Sequence, residues 1–164
     1  DPAKALALAA NSESPLIREF VARRLVDANA DLGLLVATLG TAGPAARRDL
    51  LTGAREALRG RRGVKPPAGW ADVYPKLTAD PAARDMALSL ALAFGDPRAV
   101  ADLLADAKNA TLPAAARSAA VAALTEARVP DLAPALHDLL ADAAVRRAAL
   151  RGLAAAPHPA TAAK

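Results

Sequence analysis

The sequence predicts an all-α fold in which antiparallel helix hairpins stack into an α-solenoid, and three observations predict it. Apolar residues recur at helical spacing along most of the chain, and no segment alternates as a strand would. Pairs that open helices recur as well: Asp1-Pro2, Ser14-Pro15, Asp80-Pro81 and Asp96-Pro97. In each, the first residue offers a capping acceptor and Pro suits the first helical position. Third, Arg84-Asp85-Met86-Ala87-Leu88 is echoed by Arg117-Ser118-Ala119-Ala120-Val121 and Arg146-Arg147-Ala148-Ala149-Leu150, at spacings of 33 and 29 residues.

After Ser14-Pro15, the positions Ile17, Val21 and Leu25 fall on one face, and after Asp31 so do Leu32, Leu35, Val36 and Leu39. Gly40 and Gly43-Pro44 punctuate. A longer helix from about Pro44 to Arg59 turns Leu50, Leu51, Ala54 and Leu58 inward and most of its Arg residues outward. Gly60 and Gly63 end it, and residues 60–69 read as an irregular connector inside a single repeat domain spanning 1–164. Beyond Asp80 the stripes are Ala87, Leu90, Ala91 and Phe94, then Val100, Leu103, Leu104 and Ala107. Ala116, Ala120, Leu124 and Ala127 follow, then Leu132, Leu136, Leu139 and Leu140, then Val145, Ala149, Leu150 and Leu153.

Each repeat therefore holds an Arg near the start of one helix, an apolar pair three and four residues on, a turn with Pro, and a second Leu-rich helix. Ser14 to Leu39 fits the same scheme through Arg18. A hairpin with two apolar faces cannot cover both alone, so neighbours must stack, as in HEAT-like arrays. The recurring Arg is expected to cap or bridge adjacent turns through loop Asp residues rather than bind a ligand.

Composition agrees with that architecture. Of 164 residues, 54% are hydrophobic, 2% aromatic and 23% charged, and roughly three in ten are Ala, so the core must form by close approach of Ala, Leu and Val. Zero Cys excludes disulfides, thiolate metal sites and haem attachment within these residues. No apolar run is long enough to cross a bilayer and the first residues do not read as a signal peptide, so membrane insertion is not expected. The net charge of +4 is too small to imply a nucleic-acid partner by itself. The start at Asp1 and the unfinished periodicity at Lys164 lead us to expect a piece of a longer protein.

Four stretches carry a family resemblance: Pro15-Leu16-Ile17-Arg18-Glu19-Phe20-Val21-Ala22-Arg23-Arg24-Leu25, Ala57-Leu58-Arg59-Gly60-Arg61-Arg62-Gly63-Val64, Pro67-Ala68-Gly69-Trp70 and Phe94-Gly95-Asp96-Pro97. They resemble the HEAT-repeat region of the planctomycete-type haem-binding CxxCH proteins, also described as putative membrane-bound dehydrogenases. The resemblance implies a β-propeller dehydrogenase-like domain before the repeats and a c-type cytochrome domain after them, in the periplasm or cell envelope. It implies haem c only in that flanking domain and no cofactor in this segment. Adjacent domains of the same chain would then be the partners.

Catalytic constellations are not apparent. His137 stands beside Asp138 in a Leu-rich helix and His158 in a Pro-His-Pro turn, without ligand spacing. Ser12, Ser14, Ser89 and Ser118 lack a nucleophile motif and a nearby base, and Ser14 reads as a helix cap. Asp102 and Asp106 suit the polar side of an amphipathic helix. Gly60-Arg61-Arg62-Gly63 lacks the ending of a phosphate loop.

One segment departs from the repeat. Arg55, Arg59, Arg61, Arg62 and Lys65 precede Pro66-Pro67, then Trp70 and Tyr74. The structural reading is that cations offset a helix dipole, Pro-Pro stiffens the connector, and the two rings anchor a short helix. The functional reading is a partner-binding surface with forked Arg hydrogen bonds and Trp70 as a flat contact. The leading expectation is thus a non-enzymatic scaffold or protein-interaction module. The alternative is a HEAT-like nucleic-acid-binding protein using the basic segment 55–65, and a chromophore-lyase-like HEAT protein is a third reading that no residue specifically favours.

Overall fold

The computed structural model describes residues 1–28, 30–61 and 63–155. Among them the chain is entirely helical, with ten helices and no strand. It divides into two compact units, residues 1–96 and residues 97–164.

The first unit holds α1 (Pro2–Ala10), α2 (Pro15–Asp27), α3 (Leu32–Thr41), α4 (Pro44–Leu58), α5 (Trp70–Thr78) and α6 (Arg84–Ala93). Consecutive helices pair, α1 on α2, α3 on α4 and α5 on α6, while the odd helices contact α1 to α3 to α5 and the even ones α2 to α4 to α6. The α2–α4 contact is the most extensive. Its core is aliphatic, with Leu6, Leu39, Leu50, Leu51, Leu77 and Leu90 among the fully buried side chains.

The opening pairs act unevenly. Asp1 caps α1 by accepting from the amides of Ala3 at 3.0 Å and Lys4 at 3.4 Å. Ser14 stands at the N-cap of α2, yet its side chain makes no capping bond. Asp80-Pro81 opens a turn rather than a helix: the Asp80 carboxylate takes the Ala82 amide at 3.0 Å, and α6 starts only at Arg84. Gly95 ends α6 at φ 69°, a left-handed conformation that lets the Asp96 amide reach the Ala91 carbonyl at 2.9 Å.

Three stripes differ from the expected register. Along the stripe read from Ala116 to Ala127, Ala116 is exposed and Ala127 half-buried, and the buried residues are Arg117, Ala120, Val121 and Leu124. In α2 the buried residues are Arg18, Ala22, Leu25 and Val26, while Ile17 is 49% exposed and Val21 half-buried. The reason is that α4 accepts the Arg18 guanidinium as part of the packed face. In α10, Leu150 is 52% exposed, and Ala149, Gly152 and Leu153 face inward instead. The stripes of α3, α4 and α6 are buried as read, apart from half-buried Leu32.

The second unit holds α7 (Pro97–Lys108), α8 (Ala114–Glu126), α9 (Ala133–Leu139) and α10 (Arg146–Ala155). Here α7 pairs with α8 and α9 with α10, and α7 also meets α9 as α8 meets α10. The α7 face is Ala99, Leu103 and Ala107, with Val100 and Leu104 half-buried. His158 lies outside the described residues.

Candidate functional site

The basic segment starts on the last turns of α4. Arg55 is half-buried, and its Nε is enclosed without a hydrogen-bond partner. Arg59 follows as the exposed C-cap. Arg61 turns back, and its Nη2 meets Asp27 Oδ1 at 3.0 Å, at the end of α2. Arg23 adds 4.0 Å to Asp27 and 3.7 Å to Glu56, so the ends of α2 and α4 share a partly exposed ion-pair cluster. Lys65 is exposed. Arg62 lies outside the described residues. Past them the Val64 amide donates to the Ala93 carbonyl at 3.1 Å, which fastens the connector to the end of α6.

Trp70 and Tyr74 are 2% and 3% exposed and belong to the core. The Trp70 ring meets Tyr74 at 5.5 Å and the edge of Phe94 at 5.0 Å, and its Nε1 donates to Asp96 Oδ2 at 2.9 Å. These contacts suit a buried indole, whose apolar body needs packing and whose single N–H needs an acceptor. The anchoring reading of the two rings fits this placement. Any contact made by the segment with a partner falls to its exposed cations, Arg59 and Lys65 above all. Between Trp70, Phe94, Leu35, Leu39 and Leu58 lies an apolar void of about 10 Å³, barely one water molecule in size.

The buried ionisable groups stand elsewhere. Arg18, Asp49, Asp96 and Arg117 are the buried charged residues among those described. Arg18 gives Nε to Asp49 Oδ2 at 2.8 Å and Nη1 to the Ser12 carbonyl at 2.8 Å. Arg47 gives Nε and Nη2 to the carbonyls of Leu39 and Ala42, at 3.1 and 2.9 Å, and Nη1 to Asp80 at 3.3 Å. In the second unit Arg117 gives Nε to the Ala107 carbonyl at 3.0 Å and Nη2 to Asp142. Arg146 reaches the carbonyls of Leu140 at 2.7 Å and Ala141 at 3.4 Å.

These four Arg side chains share one device. Each sits in the first turns of the second helix of a hairpin, or at its first residue, and bonds a carbonyl at the end of the helix or turn before it. Helix C-terminal carbonyls lack intrahelical donors, so the guanidinium satisfies them, and in three of the four a remaining N–H group reaches an Asp. Arg18, Arg47 and Arg117 use an Asp 31, 33 and 25 residues ahead, each on the next hairpin or its lead-in turn. A capping or bridging role was expected for Arg18, Arg84, Arg117 and Arg146; Arg18 and Arg117 bridge to an Asp, and Arg146 caps the carbonyls of Leu140 and Ala141. Arg47 and its acceptor Asp80 were missed, although Arg47 follows Arg18 by 29 residues, the same spacing that separates Arg117 and Arg146.

The Asp142 carboxyl is held below the ordinary carboxylate range, first by the Arg117 hydrogen bond and then by the Ala144 amide, which donates to it at 2.9 Å. Among the described residues no three His, Cys, Asp or Glu side chains are grouped to hold a metal ion, and no helix is long and apolar enough to cross a membrane. Compared with known protein families, curated proteins and solved structures, the chain has no match.

Proposed function

We propose that this chain is a HEAT-like helical scaffold that binds protein rather than transforms a substrate. The observation that carries the reading is the commitment of its repeated Arg side chains. In a site built for chemistry, such groups would converge on a cavity; here they fasten one hairpin to the next, through Arg18–Asp49, Arg47–Asp80 and Arg117–Asp142. A guanidinium bonded both to helix-end carbonyls and to a carboxylate fixes the relative placement of two hairpins, as a surface meant to keep its shape requires. The resemblance of the N-terminal half to haem-binding CxxCH proteins supports adjacent domains as partners, with this segment joining a propeller dehydrogenase-like domain to a c-type cytochrome domain.

The exposed cations Arg59 and Lys65 supply the polar side of such a contact. A salt titration against duplex DNA tests whether they serve nucleic acid instead. The expected result is weak binding that Arg59→Ala, Arg61→Ala and Arg62→Ala together barely change. Tight binding that falls steeply with salt and disappears in that triple variant would overturn the protein-scaffold reading. The reading frame on either side tests the domain assignment, with a C-x-x-C-H expected downstream and strand repeats upstream. Without them, that assignment fails.

A further inference from the structure

Three helices that carry a bridging Arg present, four residues on, an aliphatic side chain on the same face: Arg18 and Ala22 on α2, Arg47 and Leu51 on α4, Arg117 and Val121 on α8. In each pair the aliphatic residue is 0% exposed and an Asp of the following hairpin or its lead-in turn is bonded to the Arg. The helix α10 carries the same pair in Arg146 and Leu150, yet there Arg146 is exposed and Leu150 is 52% exposed. Arg146 still takes the Leu140 and Ala141 carbonyls, while no carboxylate among the described residues is bonded to it. We propose that this face of α10 docks a further helix hairpin, which lays its second helix along Leu150 and sets an Asp or Glu against Arg146 from the start of that helix or the turn before it. The proposal stands on the contacts between hairpins and goes beyond the scaffold reading.

The occupant is drawn from the three faces that are already covered. Each is met by the second helix of a hairpin, α4 on α2, α6 on α4 and α10 on α8. Asp49 lies in the first turns of its helix, and Asp80 and Asp142 lie four residues before Arg84 and Arg146, in the turns that lead into α6 and α10. Charge points to the same partner. Arg146, Arg147 and Arg151 of α10 are exposed and the helix contains no acidic residue, so an incoming helix is favoured when it brings carboxylates. Arg151 follows Arg146 by five residues, as Arg23 follows Arg18, and Arg23 meets Glu56 of the covering helix at 3.7 Å.

A second copy of this chain lacks that chemistry. Its Asp49, Asp80 and Asp142 are already bonded to Arg side chains within the copy. Its first hairpin, α1 with α2, has Ser14 four residues before Arg18, where an acid would be needed.

The test uses the full chain with a second copy of residues 127–155 inserted after Ala155. This insert repeats α9, Asp142 and α10 at the 29-residue spacing that separates Arg117 from Arg146. The readout is amide hydrogen exchange in α8, which occurs once in both chains and reports the stability of the hairpins stacked on it. The insert should slow that exchange about tenfold. Leu150→Asp in the original α10 should abolish the slowing, yet change the parent chain by less than about twofold, because the side chain is exposed there. Arg146→Ala in the original α10, or Asp142→Ala in the inserted copy alone, should each lose about fivefold, and the two together no more than either, as a bonded pair requires. Exchange that the insert leaves unchanged overturns the proposal. So does slowing that survives Leu150→Asp, or losses from the Arg and Asp changes that simply add. Sedimentation velocity of the parent chain covers the other occupant: self-association that Leu150→Asp abolishes would assign the face to a second copy and overturn the proposal as well.

Discussion

Gly53 of α4 lies so close to Glu19 of α2 that a Cβ at position 53 would stand 2.1 Å from the Glu19 carbonyl oxygen. No side chain fits in that space, so the glycine sets how near the two helices come. The close approach in turn brings Arg18 within 2.8 Å of Asp49, with both side chains out of solvent.

Gly53→Ala should therefore destabilise the first unit by at least about 2 kcal/mol, although Ala is the better helix former by about 1 kcal/mol. The atoms in the way are backbone and cannot rotate aside. Gly43→Ala is the control, because a Cβ at Gly43 meets nothing within 4 Å. Its stability should stay within about 0.5 kcal/mol of the parent. Urea unfolding of the two variants checks the contrast, and an equal effect of both would refute the close approach.

Arg117→Ala should cost the second unit about 3 kcal/mol, because Arg117 is 5% exposed and its loss strands the Ala107 carbonyl and removes the Asp142 partner. Arg117→Lys should recover less than half of that, since an ammonium cannot serve both acceptors in the fork geometry of a guanidinium. Thermal unfolding of the three proteins gives the order.

The stability of the second unit should depend on acid through Asp142. Its carboxyl is held below the ordinary range by Arg117 and then by the Ala144 amide, so the folded chain binds that proton less readily than the unfolded one. The contribution is complete above the ordinary Asp range, about pH 4, and fades as the pH falls through the lower folded value. Asp142→Asn should be less stable than the parent at neutral pH, and the gap should close in acid. A gap that is constant with pH would show that Arg117 does not hold the carboxylate.

Leu124→Asp should unfold the second unit, whereas Ser118→Ala should shift its stability by less than about 0.5 kcal/mol. Leu124 is 0% exposed, while the Ser118 hydroxyl reaches only the Ala144 carbonyl at 3.5 Å. Circular dichroism melts separate the outcomes, and similar melts for both would mean that α8 is rotated from the face described.

Trp70 is the single Trp of the chain, so its fluorescence reports on the first unit alone. Buried against Phe94, it should emit at short wavelength when folded and shift to the red in denaturant. Trp70→Phe keeps a ring but removes the N–H that meets Asp96 at 2.9 Å, and should cost about 1–3 kcal/mol. Asp96→Asn keeps an acceptor for that N–H and should cost less than Trp70→Phe.

The sequence by itself determined that the chain is helical and where most helices begin and end. Periodicity, Pro at first positions and Gly after last ones act over a few residues and need no neighbour. For the same reason the recurring Arg was legible at Arg18, Arg84, Arg117 and Arg146, while the connector at 60–69 stood out by breaking the pattern. Tertiary structure decided what faces what. In α2 two apolar stripes compete, Leu16 with Ile17 and Phe20 against Ala22 with Leu25 and Val26, and the larger side chains lie on the stripe left outside. Hydrophobicity alone favours the wrong one. The outcome turned on Gly53 admitting the α2 backbone and on Asp49 accepting Arg18, two groups some thirty residues away along the chain. Trp70 and Tyr74 follow the same rule: their spacing showed a shared helical face, and only the presence of Phe94 and Asp96 across from them decided that this face lies inside.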